Sequence, residues 1–106
     1  MRLKINNLES KYYCYEEKLP KNFEYRWGIY IFVKKNDILY IGMSQNLRSR
    51  VNKYFALRAK GQRDFDYVAI IPIDRSFLFS MERATIQEFN PRHNKKPGKH
   101  VNFWAP

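Results

Sequence analysis

The chain is short of several things at once. Its single cysteine, Cys14, allows no internal disulfide and no set of thiols with metal-ligand spacing. A reducing intracellular compartment fits that usage. No apolar run approaches the ~20 residues needed to span a bilayer, and the opening stretch MRLKINNLES lacks the apolar core of a secretory signal. No basic amphipathic helix supports a membrane-surface role either. A cytoplasmic protein that does not engage membrane is the expectation. A Gly-rich phosphate loop, a Ser/His/Asp order and a zinc-ligand signature are also missing. Acid is scarce as well: 10 Asp and Glu stand against 20 Lys and Arg, a formal charge of +10 on 106 residues. A field of that size attracts polyanions and favours a nucleic acid partner. The length suits one domain, 1–106, with residues 1–22 as an N-terminal arm and 95–106 as a basic tail.

What is present is organised around residues 27–55. Ile29 to Val33 is an apolar run, Lys35-Asn36-Asp37 a turn, and Ile38 to Ile41 a second run stopping at Gly42. This predicts strand, turn, strand. Alternation places Phe23, Tyr25, Trp27, Ile29, Ile31 and Val33 on one side of the first strand, with Tyr30 on the less apolar side. On the second strand, Ile38, Tyr40 and Gly42 share a face opposite Leu39 and Ile41. An odd hairpin loop would pair Tyr30 with Tyr40 directly; an even one would send them to opposite faces.

A basic helix follows, capped by Ser44 or Asn46. Leu47, Val51, Tyr54 and Phe55 form its inward stripe at helical spacing, and Gly61 ends it. The continuous run from Tyr67 to Ile73 predicts a strand covered on both faces, with Pro72 at an edge or at its end. Asp74 or Ser76 opens a second helix whose buried side runs through Leu78, Met81, Thr85, Ile86 and Phe89, ending at Asn90-Pro91. The result is an α+β fold: a small three-stranded antiparallel sheet flanked by helices. The segment before Pro20, with Tyr12, Tyr13 and Tyr15, reads either as a short helix or as an arm laid over the sheet.

Glu82 is the most informative acid. It lies four residues after Leu78 and four before Ile86, so it projects from the apolar stripe of its own helix. A carboxylate there is costly unless it is paired with an arginine or bound to a cation, and the helix pattern alone does not choose between the two. One carboxylate with waters and phosphate oxygens suits magnesium. Arg50 and Tyr54, four apart, share a helix face, and Arg50 could fork onto a phosphate. A tyrosine is a poor base, with a pKa near ~10, unless a cation or a metal-bound water lowers the cost of its phenolate. Arg48, Lys53, Arg58 and Lys60 on the first helix, and Arg92, His93, Lys95 and Lys96 beyond the second, are candidate DNA contacts. Asp64 and Asp66 read as turn caps.

Gly28-Ile29-Tyr30 and Tyr40-Ile41-Gly42, with Arg50 ten residues after Tyr40, Tyr54 four further on, and Asn94 twelve after Glu82, resemble the GIY-YIG nuclease superfamily. The resemblance covers roughly 28–94. It implies a metal-dependent endonuclease in which Glu82 holds one divalent cation, Mg2+ or Mn2+. Tyr30 is then the base or water-orienting phenol with Tyr40 as its partner. Arg50 grips the scissile phosphate, Tyr54 positions phosphate or water, and Asn94 supports the site through hydrogen bonds. Met43 stands where some members carry a lysine, which leaves the base as the least determined role. Many relatives carry a separate DNA-binding domain, for which this chain has no room. The expected partner is therefore duplex or branched DNA met with low intrinsic sequence specificity, with repair, phage and mobile-element roles open. The competing readings are a non-catalytic basic nucleic-acid-binding module and a catalytic subunit that needs a protein partner for its substrate grip.

Overall fold

The computed structural model describes residues 12–94, so the basic tail from residue 95, including Lys95 and Lys96, and the first half of the expected arm lie outside the described residues. Four strands form one antiparallel sheet: β1 (Tyr13–Tyr15), β2 (Gly28–Lys34), β3 (Asp37–Ser44) and β4 (Tyr67–Pro72), in the order β1-β4-β2-β3. Helix α1 (Leu47–Ala59) follows β3. A 3-10 turn (Arg75–Phe77) leads into α2 (Leu78–Phe89). The architecture is the α+β one expected, with one strand more than three. The extra strand comes from the arm, which pairs edge-on with β4, Tyr13 opposite Ile70 and Tyr15 opposite Val68. Among the described residues no helix is long and apolar enough to cross a membrane.

Each face of the sheet carries a core. On one face Tyr30, Phe32, Leu39, Val68 and Ile70 pack under Leu47, Val51, Tyr54 and Phe55 of α1. On the other, Ile29, Ile31, Val33, Ile41, Ala69 and Ile71 meet Met81, Ile86 and Phe89 of α2. Both sides are buried, and the side holding Tyr30 is the less apolar one, since it carries the phenols of Tyr30, Tyr40 and Tyr54 where the other has only aliphatic buried residues. The alternation of β2 starts only at Gly28, and Phe23 packs on the α1 side. Central strand β4 is buried on both faces, as a continuous apolar run should be.

The hairpin corrects the loop expectation. Lys34 pairs with Asp37, leaving a two-residue loop in which Lys35 takes φ 54°. An even loop alone would separate the two tyrosines. The pairing shifts between Phe32 and Val33, so that Val33 meets Ile38 while Phe32 meets Tyr40. Leu39 is the extra residue, a β-bulge that restores the parity the loop removed. Tyr30 faces Gly42 directly, and Tyr40, opposite Phe32, sits two pairs along on the same side. Leu39 and Tyr40 both turn toward α1, whereas Ile38 lies with Ile41 on the α2 side.

Both signature glycines are demanded by close approach. A Cβ on Gly42 would strike the Cζ and Oη of Tyr30, whose ring lies across it. A Cβ on Gly28 would strike the carbonyl oxygen of Ile71 and crowd Leu47. The first obstacle is the end of a side chain and the second is backbone. Both variants over-pack, a defect that costs about 1–3 kcal/mol in general. Gly28→Ala is expected to lose more stability in urea unfolding. Gly42→Ala is expected to keep more of the fold while its NMR spectrum shows the Tyr30 ring displaced. Equal stabilities, or an unmoved Tyr30 ring in Gly42→Ala, would contradict this account.

Candidate active site

Asn46 starts α1 by accepting the Ser49 N–H at 3.3 Å, and the Ser44 hydroxyl accepts the Asn46 N–H at 2.9 Å. That fixed start sets the helix phase. Val51, Tyr54 and Phe55 turn to the sheet, while Arg50, one turn before Tyr54, stays at the surface. Tyr54 thereby completes a triangle of phenols. Its ring centroid lies 5.8 Å from that of Tyr30 and 6.2 Å from that of Tyr40, and Tyr30 and Tyr40 are 6.2 Å apart. Tyr30 and Tyr54 are buried, Tyr40 is half-buried and Arg50 is exposed, so the cluster opens to solvent on one side.

The charges follow from that geometry. Burial pushes the Tyr30 hydroxyl far above the ordinary phenol value, and a negative charge on Tyr40 or Glu82 would push it further. The Tyr54 hydroxyl and the Arg50 guanidinium act the other way and are outweighed. Tyr40 is raised by burial and by Glu82, against the same two opposing groups. Tyr54 is raised most, by burial and then by its two neighbours. All three phenols are neutral at physiological pH, and Tyr54 is placed to donate to whichever of the other two carries developing negative charge. The neighbouring arginine therefore does not by itself make a phenolate available.

Glu82 arrives from the opposite side of the sheet. α2 packs on the face away from α1, but β3 is the edge strand, and the half-buried Glu82 carboxylate reaches that edge to accept the Met43 backbone N–H. From there its charge acts on both Tyr30 and Tyr40. Burial raises the Glu82 pKa, and the Met43 N–H only partly offsets this. No cationic side chain among the described residues contributes. A half-buried carboxylate without a compensating arginine fits a hard divalent cation better than a structural ion pair. Among the described residues no cluster of three or more His, Cys, Asp or Glu could hold a metal. The donor set thus offers one carboxylate and leaves the other positions to water and substrate oxygens.

Asn94 works on the same edge. Its Oδ1 accepts the Ile41 N–H at 2.6 Å and its Nδ2 donates to the Ile41 carbonyl at 2.8 Å, pinning the strand between Tyr40 and Gly42. Left-handed Asn90 (φ 45°) and buried Pro91 turn the chain back after α2, so that the His93 N–H also reaches the Leu39 carbonyl at 2.8 Å.

The remaining basic residues divide. Lys53 and Lys60 are exposed on α1 and at its end, and Arg48 is half-buried. Arg58, expected to meet DNA, is instead a structural tie. Its guanidinium donates to the carbonyls of Phe65 (3.2 Å), Asp66 (3.3 Å) and Glu16 (2.8 Å), and lies over the rings of Phe55 and Phe65. Arg92 pairs with Asp37 at 2.8 Å where both are exposed, so that pair costs little to part. His93 is held below its ordinary pKa by burial and by Arg92 and Arg63, and so is neutral at pH 7. Asp66 caps a turn by accepting the Lys35 N–H at 2.6 Å, and Asp64 pairs with Lys34. Sequence reasoning missed the backbone partners of Glu82 and Asn94, because main-chain groups leave no mark in residue type.

The model of the GIY-YIG catalytic domain matches residues 26–96. The chain is also similar to proteins named UvrABC system protein C. It is 37% identical to that of Psychrobacter sp. (strain PRwf-1) over 75 residues, 63% of this chain and 12% of the relative. For Pediococcus pentosaceus the figures are 32% over 76 residues, 64% and 12%. For Borrelia duttonii they are 33% over 103 residues, 91% and 16%. The chain thus spans about an eighth to a sixth of the length of these relatives. No solved structure matches it.

The raised Glu82 pKa fixes the sign of a stability measurement. The folded carboxyl holds its proton more tightly than the unfolded one, so this group loses stability as pH rises from its ordinary value through the raised one. Glu82→Gln, which keeps an oxygen for the Met43 N–H, is expected to unfold at higher temperature than the parent at pH 7 without added metal, with the gap closing near pH 4. A lower melting temperature for Glu82→Gln at pH 7 would show that the charge is compensated after all.

Proposed function

The chain belongs to the GIY-YIG family of endonucleases, and on that basis we propose that it is a metal-dependent DNA endonuclease that hydrolyses phosphodiester bonds with low intrinsic sequence specificity. One observation carries the reading. A half-buried carboxylate without a cationic partner among the described residues lies within electrostatic reach of two phenols that also feel an exposed arginine. A module built only to bind nucleic acid gains nothing from a carboxylate there, since it repels phosphate.

In this reading Glu82 holds a single Mg2+, or Mn2+, which when bound supplies Lewis-acid charge at the reacting phosphate. The protein's own groups do the rest. Arg50 forks onto the non-bridging oxygens of the scissile phosphate and stabilises the charge that builds there. The Tyr30 hydroxyl accepts a hydrogen bond from the attacking water and holds it in line, with Tyr40 beside it and Tyr54 donating to the oxygen that becomes most negative. Asn94 keeps Tyr40 and Gly42 in place through Ile41. The +10 field, to which Arg48, Lys53, Lys60, Arg92, Lys95 and Lys96 add charge and His93 a neutral hydrogen-bonding ring, supplies salt-sensitive affinity for the DNA backbone.

A second reading keeps the chemistry and adds a partner. The relatives are several times longer than this chain and are named as one protein of a UvrABC system. A catalytic part that relies on another protein for substrate grip is consistent with that ratio. Weak cleavage alone, raised by cell extract, would favour it.

Purified protein is expected to nick plasmid or branched DNA with Mg2+ and to stop on addition of EDTA. Arg50→Ala should lower the rate by about 10²–10³, the usual loss for a transition-state donor, and Glu82→Ala should abolish it. Undiminished cutting by Glu82→Ala would refute the metal role. If proton removal runs through a phenolate, log rate should climb about one unit per pH unit from 7 to beyond 10, since Tyr30 titrates above its ordinary value. A plateau near pH 8 would assign the base to another group.

A further inference from the structure

Two large aromatic side chains at the start of α2 are mostly exposed: Phe77 at 60% and Phe79 at 64%. Neither is needed by the core there, because Leu78 and Met81 supply the inward side of that turn. They differ in direction. Phe79 is three residues before Glu82 and four before exposed Arg83, so those three share one side of α2, with ~5–6 Å between successive Cβ atoms. Phe77, two residues earlier, does not share that side. The bare ring of Phe79 thus stands one helical turn from the carboxylate at the β3 edge, with a cation following it.

We propose that Phe79 is a stacking platform for an unpaired base flanking the scissile phosphate, which makes frayed, flapped or forked DNA the preferred substrate class. The proposal rests on the nuclease reading above and adds to it what the site selects. A phosphate held between Glu82 and Arg50 leaves a flanking base free on the Glu82 side, where Phe79 stands one helical turn away. A base inside a duplex has no free face to offer. A base at a junction has one, and an aromatic ring accepts it whatever its identity. This gives choice by DNA shape without any reading of sequence. Arg83 on the same side suits the adjoining phosphate.

Binding separates this proposal from the nuclease reading, because it is measured in EDTA, where no cleavage is needed. The full chain is titrated with a forked duplex carrying 2-aminopurine at the first unpaired position, and with the fully paired control. Wild type is expected to prefer the fork and to change the 2-aminopurine emission on binding. Phe79→Ala should weaken fork binding about tenfold, leave the paired duplex unchanged and abolish the emission change. Phe79→Trp should restore all three, and Phe77→Ala should behave as wild type. The proposal fails if wild type shows no fork preference, if Phe79→Ala binds the fork normally or loses equally on both DNAs, or if Phe77→Ala loses as much. An unaltered Phe79→Ala would instead point to a protein partner for the exposed ring. A chain that shows the fork preference but never cuts with Mg2+ would sink the nuclease reading and leave the stacking site standing.

Discussion

The outer edge of β3 is the constraint on which the site depends. An edge strand presents backbone donors and acceptors that the sheet does not use, and proteins must cover them or tolerate strand addition. Here the cover is made from the segment that runs from α2 back along the sheet. His93 takes the Leu39 carbonyl, Asn94 takes both groups of Ile41, and Glu82 takes the Met43 N–H. The alternate residues of one strand are therefore held by three consecutive fasteners. The strand between them carries Tyr40 and Gly42. Two of these fasteners, the Glu82 and Asn94 side chains, are also groups proposed for the chemistry, so an apolar helix closing the edge would remove the acid.

This arrangement also explains how two helices on opposite faces can serve one centre. A centre in mid-sheet would be divided by the sheet itself. At an edge only one strand's width separates the faces, and a glutamate is long enough to cover it. From above, Tyr54 and Arg50 of α1 join Tyr30 and Tyr40 of the sheet in a cluster whose polar groups are three hydroxyls and one guanidinium. α2 contributes one carboxylate from below. Burial keeps every phenol protonated, and the charges on Glu82 and Arg50 pull the Tyr30 and Tyr40 hydroxyls in opposite directions. The phenols are accordingly poised as hydrogen-bonding groups. A bound cation near Glu82 would cancel the contribution that, after burial, raises Tyr40 most.

Much of this was legible in the sequence, for definite reasons. The inward stripe of α1 follows the helical period without a break, and all four residues expected there are buried. β4 has no polar residue within its apolar run, and it is covered on both faces, as β2 is. What could not be read is of another kind. The bulge at Leu39 sits in the run Ile38-Leu39-Tyr40-Ile41, where every side chain is apolar or aromatic and alternation leaves no trace. The loop parity therefore looked decisive when a single extra residue could reverse it. The pairing of Tyr13–Tyr15 with β4 is non-local and rests on main-chain bonds. Arg58 looked like one more cation on a basic helix. Its role became visible only with the carbonyls of Glu16, Phe65 and Asp66 around it.

The same geometry assigns a task to each position of the two signature tripeptides. In each, the tyrosine supplies a hydroxyl and the glycine removes a Cβ that would obstruct the packing. Gly42 leaves room for the Tyr30 ring, so a glycine of the second tripeptide seats the tyrosine of the first. Gly28 lets the central strand and Leu47 of α1 approach β2, which sets the height of α1 above the sheet and so the position of Arg50 and Tyr54. The middle isoleucines point the other way, into the α2 core, and fix the strand pair against the helix that carries Glu82. Every position of the signature thus controls one coordinate of the centre. A substitution at any of them changes where a proposed catalytic group stands before it changes which groups are present.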